Sequence, residues 1–305
     1  MSNKETNLDT KEVVEHSDAD IQIECPYTLP KPYLSASQIN MYLRCGKQYY
    51  FRYILGISSP PAIAMTMGSA VHETYEPMYQ DVIEGKGLWK PEVAQEYSVF
   101  QLEAKAEEDD LPLRGREKDE AVSVVRNVVG SYSTFVAPYV KPLGVEIELR
   151  ETLPCGVPIL GYIDLVRGPT DLEEEKGFDY KRIVDYKVTK SKWPENKLPN
   201  DFQFNLYAAL TAIKDVEIHN SSKSTKPFKQ AKTTEADYFA AKQDVATNLR
   251  ILRHKFPKNC GVHVNNLVES VASGISKGAF PLAPMDSWCC NETFCGYYHL
   301  CRGKC

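Results

Sequence analysis

Apolar positions recur at helical spacing in the first part of the chain and alternate with polar ones beyond residue 144, which predicts a helical half followed by strands. "YLSASQINMYLRCGKQYYFRYILG" opens with a Ser suited to capping and places Cys45 within or near the end of the first ordered helix. Pro60-Pro61 breaks the pattern. "MTMGSAVHETYEPMY" then reads as a second helix on which Gly68 and His72, four apart, share a face. Two more helices are expected around 92–110 and 116–138, the latter marked by Val122, Val125, Val128 and Val129. From residue 144, "GVEIELRETL", "VPILGYIDLVRG" and "FDYKRIVDYKVTK" predict three consecutive antiparallel strands. "NDFQFNLYAALTAI" restores helical spacing with Asp201 as N-cap, and "VEIHN" is a candidate returning strand. Residues 221–235 read as a polar, Lys-rich loop, and 235–256 and 264–277 as helices. With no repeat and no long linker, the pattern favours one α/β domain with a helical insertion.

Composition narrows this little: 305 residues, 43% hydrophobic and 25% charged, suffice for one large domain or two small ones. The net charge of −5 lies entirely in residues 1–24, where Glu5, Asp9, Glu12, Glu15, Asp18, Asp20 and Glu24 face only Lys4 and Lys11. That leader lacks an apolar run, so residues 1–29 are expected to be an acidic disordered tail and not an export signal or membrane anchor. No later segment approaches the roughly 18 consecutive apolar residues of a membrane span, which points to a cytoplasmic protein. The remaining chain is neutral, so DNA binding would rest on local clusters: Arg44, Lys47 and Arg52 with Tyr49 and Tyr50, or Lys190 and Lys192 with Trp193. A solvated helix face and loop explain the same residues.

Asp164, Asp185 and Lys187 fall in strand segments, where charge weakens a core strand unless it faces solvent or serves a site. Asp185 and Lys187 are two apart and point to one face. Hydrolysis of a phosphodiester needs a divalent ion, a water activated near neutral pH, and positive charge for the developing anion. Two carboxylates suit Mg²⁺ or Mn²⁺, with a backbone carbonyl and waters completing the shell, and a lysine beside them can orient or deprotonate the attacking water. Asp179 is read as structural. Glu146 and Glu148 are expected to share a strand face, either solvated or in an outer-shell contact.

"GSAVH", "GYIDLV", "DYKVTK" and "QFNLY", in this order, resemble the PD-(D/E)xK nuclease superfamily and within it the RecB-like exonuclease branch, over most of residues 33–305. The resemblance implies a restriction-endonuclease-like core, a mixed central sheet flanked by helices, with a helical insertion and a C-terminal metal-cluster segment. It divides residues 30–305 into a mainly helical part (30–140), a nuclease core (141–260) and a helix with the cysteine segment (261–305). It implies Asp164, Asp185 and His72 as ligands of Mg²⁺ or Mn²⁺, Lys187 as the catalytic lysine, and Gln203 and Tyr207 as a Q-x-x-x-Y element beside the active site. The acid-rich interval between Asp164 and Asp185, "TDLEEEK", is expected to be an extended hairpin loop. The implied substrate is DNA, single-stranded or end-resected double-stranded. Recombination or replication proteins are the implied partners, in phage recombination, replication or repair. A non-catalytic DNA-binding subunit, an endonuclease and an electron carrier remain as rival functions.

Nine cysteines without an export signal point to thiols or metal ligands. Cys25, Cys155 and Cys260 are scattered, whereas Cys289, Cys290, Cys295, Cys301 and Cys305 crowd the last seventeen residues. Cys290, Cys295 and Cys301 follow C-x4-C-x5-C, unlike the paired C-x2-C knuckles of a zinc ribbon. Several RecB-like nucleases hold a 4Fe-4S cluster with one early cysteine and three terminal ones. That resemblance implies Cys45, Cys290, Cys295 and Cys301 as ligands, with Zn²⁺ as the alternative, although the first terminal interval is longer than the family's C-x2-C. Four thiolates suit either metal.

Overall fold

Ser35 accepts a hydrogen bond from the Gln38 amide and starts α1 (Ala36–Arg44), as the spacing predicts. Cys45 is extended, ends α1, and separates it from α2 (Gly46–Tyr49), which runs on into a π-helical turn at Tyr50–Ile54. The expected second helix is α3 (Ile63–Ile83), and α4 (Pro91–Glu108) and α5 (Gly115–Phe135) follow, α4 with a proline in its first turn. This computed structural model describes residues 25–59, 62–231 and 242–303. The acidic leader to residue 24, Pro60-Pro61, the start of the expected 235–256 helix and Cys305 lie outside them.

Strands β1 (Pro142–Thr152), β2 (Pro158–Arg167) and β3 (Arg182–Thr189) form the expected antiparallel series. From β3, helix α7 (Phe202–Leu210) carries the chain to β4 (Asp215–Ser222), which pairs parallel to β3; β5 (Lys242–Ala246) and β6 (Leu249–Lys255) complete a six-stranded mixed sheet of order β1-β2-β3-β4-β6-β5. Alternation along β3 sends Ile183 to one face, under α1, α7 and α8 (Gly261–Ser276), and Val184 and Tyr186 to the other, under α3, α4 and α5. The mixed sheet flanked by helices is the expected fold class.

Three expectations change. The described part of 235–256 is not a helix but the β5–β6 hairpin, turning at Thr247-Asn248. Ile251 and Leu252 bury on opposite faces of the sheet, and pairing of β6 with β4 decides a segment whose Lys, Ala and Leu content favours a helix locally. The interval after Asp164 does link two antiparallel strands as a hairpin, but a short helix takes the place of part of the expected extended loop. Thr170 and Glu173 form a reciprocal capping box on α6 (Asp171–Glu175), and fully buried Glu173 accepts from Arg167 at 2.7 Å. The expected tail is shortened at its end, because Tyr27 and Leu29 pack on the core and the Thr28 amide donates to Ser276 on α8.

Candidate active site

β2 and β3 present Asp164 and Asp185, and α3 brings His72 across them. His72 Nδ1 lies 3.3 Å from Asp164 Oδ2, and Nε2 lies 2.9 Å from the Tyr186 carbonyl. The Tyr186 amide donates to Asp164 Oδ2 at 2.9 Å, closing a ring through the backbone of this one residue. Both imidazole nitrogens thus face oxygens, and a neutral ring has one N–H to give, so one of these pairs calls for a proton or a cation. The cleft in front is lined by Gly68, Ser69, His72, Glu146 and Asp164, and a side chain at Gly68 would meet nothing within 4 Å, which leaves it open.

Asp185 is 2% exposed, yet its partners are all functional candidates. Lys187 Nζ lies 2.8 Å from Oδ1 and 2.6 Å from Oδ2, and Gln203 Nε2 donates to Oδ1 at 3.1 Å. Asp201 caps α7 and so aims Gln203 and Tyr207 back at the sheet. The Tyr207 hydroxyl donates to the Tyr162 carbonyl at 2.9 Å and lies 3.4 Å from Gln203 Nε2. Gly161 makes this approach possible, since a Cβ there would sit 3.0 Å from the Tyr207 ring. Asn220 on β4 donates to the Lys187 carbonyl at 3.0 Å and fixes the backbone of β3 beside the site.

Burial pushes Asp185 up to about 6, with Asp164 adding to the rise and Lys187 opposing it. Burial likewise raises Asp164 against the pull of His72. At Lys187 burial works downward, but Asp185 and Asp164 outweigh it and the ammonium is held above its ordinary value. At both carboxylates burial thus outweighs the opposing positive charge of His72 and Lys187. The donor set fits a hard divalent ion: ligand atoms of His72, Glu146 and Asp164, an imidazole and two carboxylates, all lie within 4.8 Å of one another.

The structure thus brings His72, Asp164, Asp185, Lys187, Gln203 and Tyr207 together, and adds Glu146. Glu148 does not share its setting, for it is exposed and accepts from Arg150 and Tyr162 at 2.9 and 3.1 Å. Exposed Asp179 lies before β3 and outside the site. Tyr49 is fully buried among Tyr42, Tyr53 and Phe280, so it offers no ring to a base. Trp193 is also buried.

Cys45, at the end of α1, and the C-terminal Cys290, Cys295 and Cys301 line one small pocket. Burial raises the Cys301 thiol, and Cys45, Cys295 and Cys290 add to the rise, as in a group of closely set sulfurs. Arg302 donates to Cys290 Sγ at 3.0 Å, Gln48 to Cys295 Sγ at 3.2 Å, and the Ala283 amide to Cys45 Sγ at 3.5 Å. Cys289 borders the same pocket but is buried, with its thiol directed to the Arg44 carbonyl.

A family model of the PD-(D/E)XK nuclease superfamily matches residues 33–302. The chain belongs to that superfamily, whose members are DNA-cleaving hydrolases that generally use Mg²⁺ or Mn²⁺. No curated protein matches it. No helix among the described residues is long and apolar enough to cross a membrane.

Proposed function

We propose that the protein is a metal-dependent exonuclease of the RecB-like branch, hydrolysing phosphodiester bonds at DNA ends in the cytoplasm, in the service of recombination, replication or repair. The observation that carries the reading is the continuous set of contacts from His72 through Asp164 and the Tyr186 peptide to Asp185, Lys187 and Gln203. His72, Asp164 and Asp185 hold the divalent ion, which supplies Lewis-acid polarisation of the scissile phosphate and charge to offset the carboxylates. Lys187, fixed through Asp185 and the backbone clamp of Asn220, keeps its ammonium beside the reacting phosphate, where it orients the attacking water and faces the charge that develops. Gln203 holds Asp185 Oδ1, and Tyr207 locks the α7 face onto β2, so both act by positioning.

Cys45, Cys290, Cys295 and Cys301 bind a 4Fe-4S cluster in this reading, with zinc as the alternative that metal and acid-labile sulfide analysis separates. Either group clips residue 45 to the chain end and stabilises the fold by closing a long loop. The function is tested by following end-labelled linear DNA beside closed circular DNA with Mg²⁺ or Mn²⁺. Loss of linear DNA alone supports an exonuclease. Cutting of circles makes the protein an endonuclease, and no cleavage of either leaves a DNA-binding subunit.

A further inference from the structure

We infer that Glu146, which the nuclease signature does not include, is a ligand of the catalytic metal ion supplied by strand β1. The inference rests on the metal-dependent reading above and adds a residue to it.

The backbone shows why this side chain reaches the site. In a regular strand, residues two apart share a face. Along β1, however, Val145 packs with the core under α3–α5 while Ile147 packs with the core on the opposite face. The same change occurs on β2, where Ile163 belongs to one core and Leu165 to the other. The register pairs Val145 with Leu165 and Ile147 with Ile163, so both strands switch faces at the same level, and the residues at the switch are Glu146 and Asp164. Glu146 takes up the change with φ of 45°, a left-handed conformation that a non-glycine residue adopts at a cost. A bulge one step earlier, between Pro142 and Gly144, adds to the local twist.

The consequence is a half-buried carboxylate in the cleft, across from Asp164, with ligand atoms of Glu146, Asp164 and His72 within 4.8 Å of one another. Ligands at about 2.1 Å on opposite sides of one ion are about 4.2 Å apart, so the spread is close to that of one coordination sphere. Among the described residues no hydrogen bond or ion pair reaches the Glu146 carboxylate, and its charged neighbours include the further carboxylates of Glu76 and Asp185. Glu146 therefore brings an unpaired carboxylate to the same point as the His72 and Asp164 ligand atoms, where one divalent ion would engage all three.

The test is Mn²⁺ binding to the full-length protein, read by electron paramagnetic resonance and calorimetry, together with thermal midpoints without metal. Wild type is compared with Glu146→Gln, Glu146→Gly, Asp164→Asn, and Glu148→Gln as a same-strand control. We expect Glu146→Gln and Glu146→Gly to weaken Mn²⁺ by about tenfold or more, the scale of lost support at metal sites, while Glu148→Gln binds as wild type. Glu146→Gly should also raise the midpoint, because glycine accepts the left-handed backbone freely. Loss of affinity with a raised midpoint separates a ligand from a residue that merely holds the strand. Wild-type affinity in both Glu146 variants, with Asp164→Asn impaired, overturns this inference alone. Absence of Mn²⁺ binding by the wild type overturns the metal-dependent reading on which it rests.

Discussion

Replacing Glu217 by Gln removes one charge from a side chain that is 1% exposed and leaves its shape unchanged. The carboxylate accepts from Arg167 at 2.9 and 2.5 Å, from Arg182 at 2.6 Å and from Arg253 at 2.6 Å, with His219 Nε2 at 3.0 Å. Arg167 and Arg182 are register partners, each three residues from a site aspartate, so this cluster clamps the β2–β3 pairing that sets Asp164 beside Asp185. Breaking a buried ion pair by removing one partner costs about 3–5 kcal/mol, because the opposite charge stays buried. That is a large part of the about 5–15 kcal/mol that holds a typical protein folded. At about 2–4 °C per kcal/mol in large domains, the thermal midpoint of Glu217→Gln should fall by roughly 6–20 °C at pH 7. The pH dependence gives a second check. Burial alone would raise the Glu217 carboxyl, but Arg167 and Arg253 outweigh it and hold it well below the usual range. Its stabilisation is therefore complete above the unfolded value of about 4.3 and is lost as pH falls through the folded one. Calorimetric melts of both proteins from pH 7 to pH 3 should converge on the acid side. A midpoint at pH 7 within about 2 °C of wild type would refute the reasoning, since it is below the shift that even 1 kcal/mol produces.

Mn²⁺ affinity should rise with pH through about 6, where Asp185 gives up its proton, and binding should release protons into the buffer; flat affinity from pH 5 to pH 7 contradicts this. Gln203→Ala should lower kcat by about 10²-fold, the scale of a misplaced reacting group, with little change in midpoint, and a defect confined to KM would speak against positioning. Cys295→Ser should lose bound iron and sulfide and melt at lower temperature than wild type, whereas wild-type protein purified without air that contains zinc and no iron would contradict the cluster.

Much of this was legible because the signals were local. Ser35 and Asp201 cap their helices as read, and the order of "GSAVH", "GYIDLV", "DYKVTK" and "QFNLY" is the order in which the chain visits one site. What escaped depends on contacts between segments distant in sequence. Glu173 looks like part of a solvated acid run until Arg167 and Arg182 close over it. The β5–β6 hairpin takes its state from pairing with β4, which no local window shows. Glu146 was assigned a face by regular alternation, and the face switch at Glu146 breaks the alternation on which that reading relied.

The most direct test of the central claim, a divalent metal centre whose chemistry depends on Lys187, is single-turnover cleavage of linear DNA with Mg²⁺ by wild type and Lys187→Met, alongside Mn²⁺ binding by each. Metal-dependent cleavage should fall by about 10²–10³-fold in Lys187→Met while Mn²⁺ binding persists. Cleavage that needs no metal, or that continues in Lys187→Met at the wild-type rate, would contradict that claim.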